Sequence, residues 1–106
     1  MSVRVNNIFA GVSAVAGKEE FLTLFDSHSV KIERIVSHAH GSPPGFWYDQ
    51  TEEEWVILVR GQATLEFAGG KLVELKEGDY LAIPPHVKHR VQQTARETVW
   101  LAVHIK

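Results

Sequence analysis

From Val30 onward the chain runs in short apolar-rich segments broken by glycine and proline. Val30 to Val36 alternates weakly and is rich in Ile and Val. "WVILV", Trp55 to Val59, is a continuous apolar run, as expected of a strand buried on both faces or covered by a partner. "ATLEFAGGKLVEL", Ala63 to Leu75, reads as a hairpin around Gly69-Gly70, a pair tolerant of the positive φ angles that tight turns need. "KEGD" is a second turn, leading into "YLAIPP". The chain ends in "TVWLAVHIK", where Val99, Leu101, Val103 and Ile105 make one apolar face. Before Val30 the pattern changes. In "GKEEFLTLFDS", Gly17 to Ser27, Phe21, Leu22, Leu24 and Phe25 fall on one side of a helical wheel. Glu19 and Glu20 sit in its first turn, where the helix dipole favours acids. The pattern predicts an all-β sandwich or barrel preceded by one short helix.

Composition narrows this to one domain. With 106 residues the chain can bury about two-thirds of its extended surface, enough for a core without covalent staples. There is no cysteine, which removes disulfides, thiolate metal sites and cysteine nucleophiles together. Eleven basic and thirteen acidic residues are interspersed for a net charge of −2, unlike a surface that tracks nucleic acid. No apolar run approaches the ~20 residues of a membrane span. "IFAGVSAVA", Ile8 to Ala16, ends in Ala-x-Ala and faintly imitates a secretory signal. Its modest apolarity and single preceding arginine favour an N-terminal arm laid on the domain, and a cytoplasmic protein.

Six histidines supply the candidate chemistry. His28 lies in a polar turn and reads as solvated. His38 and His40 share a face if their segment is extended, since side chains alternate with period two. Glu52 and Glu53 read as a solvated cap. Glu54 opens the buried "WVILV" run, where its charge needs a cation or hydrogen bonds. His89 follows the proline-stiffened turn "IPPHVK", and His86 is expected to point elsewhere. His104, on the face of the last strand that carries Trp100, reads as a structural histidine.

"GDYLAIPPHVKH", Gly78 to His89, resembles the second sequence motif of the cupins, with His86 where glycine is usual and Gln93 in place of a closing asparagine. "EWVILVRG", Glu54 to Gly61, is similar to the end of the first cupin motif. Together these stretches cover Pro43 to about Gln93, half the chain. The resemblance implies an RmlC-like jelly-roll barrel over 30–106, with 1–29 as arm and short helix in a single domain. It also implies a homodimer. The first motif normally carries His-x-His before its glutamate. By register, Tyr48-Asp49-Gln50 occupies those positions here, and His38-Ala39-His40 lies one hairpin arm earlier, before "GSPPG".

Two arrangements follow. In one, a divalent ion (Fe, Mn, Ni or Zn) is held by His89, Glu54 and Gln50, with His40 reaching across the hairpin to replace a missing imidazole. In the other there is no ion, and the same side chains line a polar pocket for an organic molecule. Tyr48 and Trp47 are candidate pocket walls, although aromatics such as Phe46, Trp55 and Trp100 most simply serve the core or a subunit contact. The first arrangement implies an enzyme acting on a small oxygen-rich molecule, of dioxygenase, isomerase or decarboxylase class. The second implies a non-catalytic binding or sensor protein with no nucleic acid or membrane partner. A metal-free epimerase with a histidine base is a third reading, for which the sequence shows no Asp–His pairing, although spacing leaves open one made in space.

Overall fold

The computed structural model describes residues 2–12 and 17–106. Eight strands follow in order: β1 (Glu19–Asp26), β2 (Val30–Ser37), β3 (Glu53–Arg60), β4 (Gln62–Phe67), β5 (Lys71–Lys76), β6 (Tyr80–Ile83), β7 (His89–Thr94) and β8 (Thr98–Ile105). They form two antiparallel sheets, a five-stranded one in the order β1-β2-β8-β3-β6 and a three-stranded one in the order β5-β4-β7. Between them lies a core of Val56, Leu58, Ala63, Leu65, Leu75, Ile83, Val91, Trp100 and Ala102.

The expected N-terminal helix is a strand. Among the described residues there is no helix, and "EEFLTLFD" is β1, paired with β2 from Glu19↔Ser37 to Asp26↔Lys31. The register shifts between Thr23 and Phe25, where one extra residue bulges out. That extra residue puts Leu22 and Phe25 opposite Arg34 and Ile32, on one face of the sheet, although they are three apart in sequence. A bulged strand therefore carried helix-like spacing. Pairing along β2 satisfies its backbone, which an eight-residue helix would have had to do alone.

The inner face of the five-stranded sheet is set by register. Trp100, Ala102 and His104 of β8 stand beside Ile35 and Glu33 of β2 on one side and Leu58, Val56 and Glu54 of β3 on the other. The "WVILV" run alternates between buried Val56 and Leu58 inward and half-buried Trp55, Ile57 and Val59 outward. On the outer face Val36 and its partner Val99 are fully buried. The N-terminal segment lies near them: the Arg34 guanidinium donates to the carbonyls of Ile8 and Ala10. Arg60 stands 4.1 Å over the Phe9 ring. Of the Ile8 to Ala16 arm, Ser13 to Ala16 lie outside the described residues.

Gly61 makes the one-residue turn from β3 to β4 at φ +97°, where an added Cβ would stand 2.7 Å from the Glu97 carbonyl oxygen and 2.5 Å from Thr98 Oγ1. Gly69, at φ +96° in the β4–β5 hairpin, has open space around it. Gly61→Ala should therefore cost more than about 3 kcal/mol, strain plus a backbone clash, against about 1–2 kcal/mol for Gly69→Ala. Urea unfolding of the two variants checks the order.

Candidate functional site

The inner faces enclose a cavity of about 70 Å³. A water needs roughly 10–15 Å³ of such volume, so the interior admits an ion with its waters or the head of a small molecule, and a larger ligand must extend through the mouth. Its walls include Glu19 and Phe21 of β1, Glu33 of β2, Glu54 of β3, His89 of β7, Trp100 and His104 of β8, and Tyr48 and Gln50 from the segment before β3.

Tyr48 reaches the cavity because its segment pairs briefly with β7. Tyr48 N donates to His89 O at 2.7 Å and His89 N to Tyr48 O at 3.1 Å. Directly opposed residues project to the same side, so the Tyr48 ring stacks on the imidazole with centroids 5.4 Å apart and planes 24° apart. Alternation then sends Gln50 inward with Tyr48 and Asp49 outward, where Asp49 Oδ1 meets the exposed His86 at 2.8 Å.

Glu54 is central. One carboxylate oxygen lies 3.9 Å from His89 Nε2 and the other 3.9 Å from His104 Nε2, too far for hydrogen bonds. Burial pushes the Glu54 carboxyl above its ordinary 4.5; His104 and His89 oppose the shift and Glu33 adds to it. His89 gives Nδ1–H to the Val87 carbonyl at 2.9 Å in the tautomer this contact requires, which leaves the Nε2 lone pair facing the cavity. His104 Nε2 is 2.9 Å from Glu33 Oε1. At the rim, the Tyr48 hydroxyl donates to Glu19 Oε1 at 3.1 Å and Ser37 Oγ to Glu19 Oε2 at 3.0 Å. Burial first, and Glu19 second, push the Tyr48 phenol well above its usual range, so it remains a protonated donor.

The fold thus brings Tyr48, Gln50, Glu54 and His89 to one cavity. His40 is not on its wall: Nε2 stands 3.8 Å from Glu19 and Nδ1 3.5 Å from the Gly17 carbonyl. The His-x-His pair diverges because Ala39 takes a left-handed φ of 47°, which ends the extended alternation that would align its neighbours. His38 is buried with Nδ1 2.8 Å from the Arg96 carbonyl. Trp47 lies off the wall with the Arg90 guanidinium 5.9 Å from its ring. Sequence reasoning missed Glu19 and Glu33, and it ranked a barrel-lining position for His104 behind a structural one. The available signals were an acid inside the Ile/Val-rich β2 and the period-two match of His104 with Trp100.

Glu54 and His89 suit a divalent ion as two ligands. Their atoms face each other at about the spacing of two donors in one coordination shell, and His89 is oriented from behind by a carbonyl, as ligating imidazoles are. A third acidic or imidazole ligand does not fit as arranged. Among the described residues no three acidic or imidazole side chains converge on one ion, and His104 has the relevant nitrogen engaged by Glu33.

The raised Glu54 carboxyl has a signed consequence. Its unfolded counterpart ionises near 4.5, so above the raised folded value the buried charge is a full penalty, which disappears as pH falls to 4.5. In chelated protein, Glu54→Gln should raise Tm at pH 7 and give no gain below pH 4.5. Thermal melts across that range check it.

The cupin-domain family model matches residues 31–104. A provisionally named mannose-6-phosphate isomerase from Ralstonia eutropha JMP134 is 43% identical with a TM-score of 0.91, over 98% of this chain and 99% of that one. An RmlC-like cupin from Methanocaldococcus jannaschii with a double-stranded β-helix fold, 19% identical, superposes with a TM-score of 0.75 over 99% of this chain and 92% of its own, a likeness of fold. The 3-hydroxyanthranilate 3,4-dioxygenase of Paraburkholderia phytofirmans is 38% identical over 60 residues, 54% of this chain, and the chain spans about a third (34%) of that relative's length. The match to the family model covers most of both sheets, and on it the chain belongs to the cupin family.

Proposed function

We propose that the cavity binds a small oxygen-rich molecule at a divalent ion held by Glu54 and His89, with the Gln50 amide oxygen as the next donor on the same wall. The observation that carries this reading is the His89 Nε2 lone pair aimed at an otherwise unpaired Glu54 carboxylate. Nitrogen and oxygen donors without sulfur suit Fe, Mn, Ni or Zn. His40 would join only by leaving Glu19. When bound, the ion supplies Lewis-acid polarisation of a ligand oxygen. Tyr48 and Trp100 wall the site, and Gln50 orients the ligand. Relatives named for an isomerase and a dioxygenase support a cupin enzyme of one of those classes or a decarboxylase, without choosing among them. A cytoplasmic location belongs to the same reading.

The engagement of His104 by Glu33 favours a second reading, a metal-free pocket that binds an organic ligand. Elemental analysis separates the two. About one ion per chain after incubation with Fe, Mn, Ni or Zn, lost in His89→Ala and in Glu54→Gln, supports the first; no ion with any of the four removes it. His40→Ala should leave the metal content unchanged, whereas Gln50→Ala should weaken binding several-fold.

The reading includes a homodimer. β1 is an edge strand, and Phe21, Leu22, Leu24 and Phe25 on it are 43–54% exposed. An apolar edge of this kind is a template for pairing with a second copy. The four side chains offer roughly half of the about 800 Å² per partner that a stable dimer needs, and the strand backbone and Ile105 add to it. Light scattering should give twice the chain mass, and Phe25→Glu should give the monomer; a monomeric wild-type chain removes this part.

A further inference from the structure

The polar groups of the cavity are almost all acceptors, once each proton is assigned. The Tyr48 hydroxyl spends its proton on Glu19, leaving the oxygen to accept. In its neutral form His89 donates Nδ1–H to the Val87 carbonyl, and Nε2 then accepts. Trp100 Nε1 donates to Ser37 Oγ at 3.2 Å, and His104 Nε2 faces Glu33. Three carboxylates, Glu19, Glu33 and Glu54, line the cavity, and no lysine or arginine does. Lys31 stands off the wall, 3.8 Å from Glu33 Oε2 and 39% exposed. Gln50 is the remaining side-chain donor.

The acids alone would be a weak argument. Glu54 supplies the independent one: its side chain is only 9% exposed, and among the described residues neither oxygen has a hydrogen bond. A buried carboxylate without a partner gains most from a cation or a strong donor placed against it. The cavity wall also carries the aromatic rings of Tyr48, Trp100 and the half-exposed Phe21, whose faces attract an ammonium and not an anion.

We infer that, in the absence of an ion, this cavity is selective for a small organic cation, an alkylammonium whose charged head meets Glu54 while its apolar part lies along the half-exposed Phe21. This rests on the same pocket as the proposed function and deepens it. The walls themselves reject a bare carboxylate or phosphate, which can enter only where an ion supplies the missing positive charge. A molecule that uses the loaded site through an acceptor oxygen would still meet acceptors on every other side, so it should carry hydroxyl or amine donors beside that oxygen.

Ethylammonium, acetate and inorganic phosphate are the probes. Each is titrated by Trp and Tyr fluorescence into chelated protein and into protein loaded with zinc, with the metal content of each sample measured. In chelated protein ethylammonium should saturate and acetate and phosphate should not. Glu54→Gln should weaken ethylammonium at least about tenfold, with the fold checked by circular dichroism. Glu33→Gln serves as a second variant and should weaken it by a smaller factor. Acetate or phosphate binding chelated protein as well as ethylammonium overturns the inference. So does failure of ethylammonium to saturate, or its indifference to Glu54→Gln. Zinc content is read separately, so a chain that takes no zinc removes zinc as the ion while the cation selectivity is still decided, and the reverse.

Discussion

Strand β8 is hydrogen-bonded along its length on both sides, to β2 and to β3, and those two ladders put His104 opposite Glu54 and diagonal to Glu33 on the inner face. A shift of one residue in either ladder would turn its whole set of side chains to the opposite face. Register is held by burial: Trp100, Ala102, Val56 and Leu58 share the inner face, and the core they form would be lost with it. The apolar core and the polar cavity are thus two ends of the same alternation, with tryptophan and alanine at one end of β8 and histidine at the other.

Three carboxylates and two imidazoles in so small a space are costly to desolvate, and the structure offsets the cost unevenly. Glu33 is paired with His104, and Glu19 accepts from Tyr48 and Ser37. Glu54 is left with two imidazoles at 3.9 Å and nothing closer. An uncompensated group in an otherwise satisfied network marks the place where something outside the chain completes the set, and it is from this asymmetry that both the ion and the organic cation are argued.

The second sheet contributes by way of a single bridge. Tyr48 and His89 exchange two backbone hydrogen bonds outside any named strand pair, and this small contact carries Tyr48 and Gln50 over the cavity. The turn beyond them is fastened by His86, whose backbone N–H donates to the Gln50 carbonyl at 2.8 Å while its φ of 62° takes a left-handed conformation usually left to glycine. The imidazole of the same residue holds Asp49, so a position where the family resemblance leads one to expect glycine has gained a side chain that braces the pocket wall.

Period-two alternation, glycine turns and the two motif halves were enough to name an all-β cupin, because these features are local and survive without knowledge of partners. Local pattern also placed Glu54 at the head of a buried strand, and the family resemblance put Tyr48 and Gln50 at the positions of the usual histidines. It failed at β1, where a bulge made a strand look helical, and at His38 and His40, where the left-handed Ala39 separates two side chains that an extended segment would align. The Glu33–His104 pair joins residues 71 positions apart and depends on the register of two ladders, a long-range quantity that spacing along the chain does not contain. What the amino-acid sequence determined by itself was therefore the strand set and the kind of donors available. Which of those donors share a cavity, and which already hold one another, was decided only when the sheets closed, because proximity across a sheet is set by pairing and not by distance along the chain.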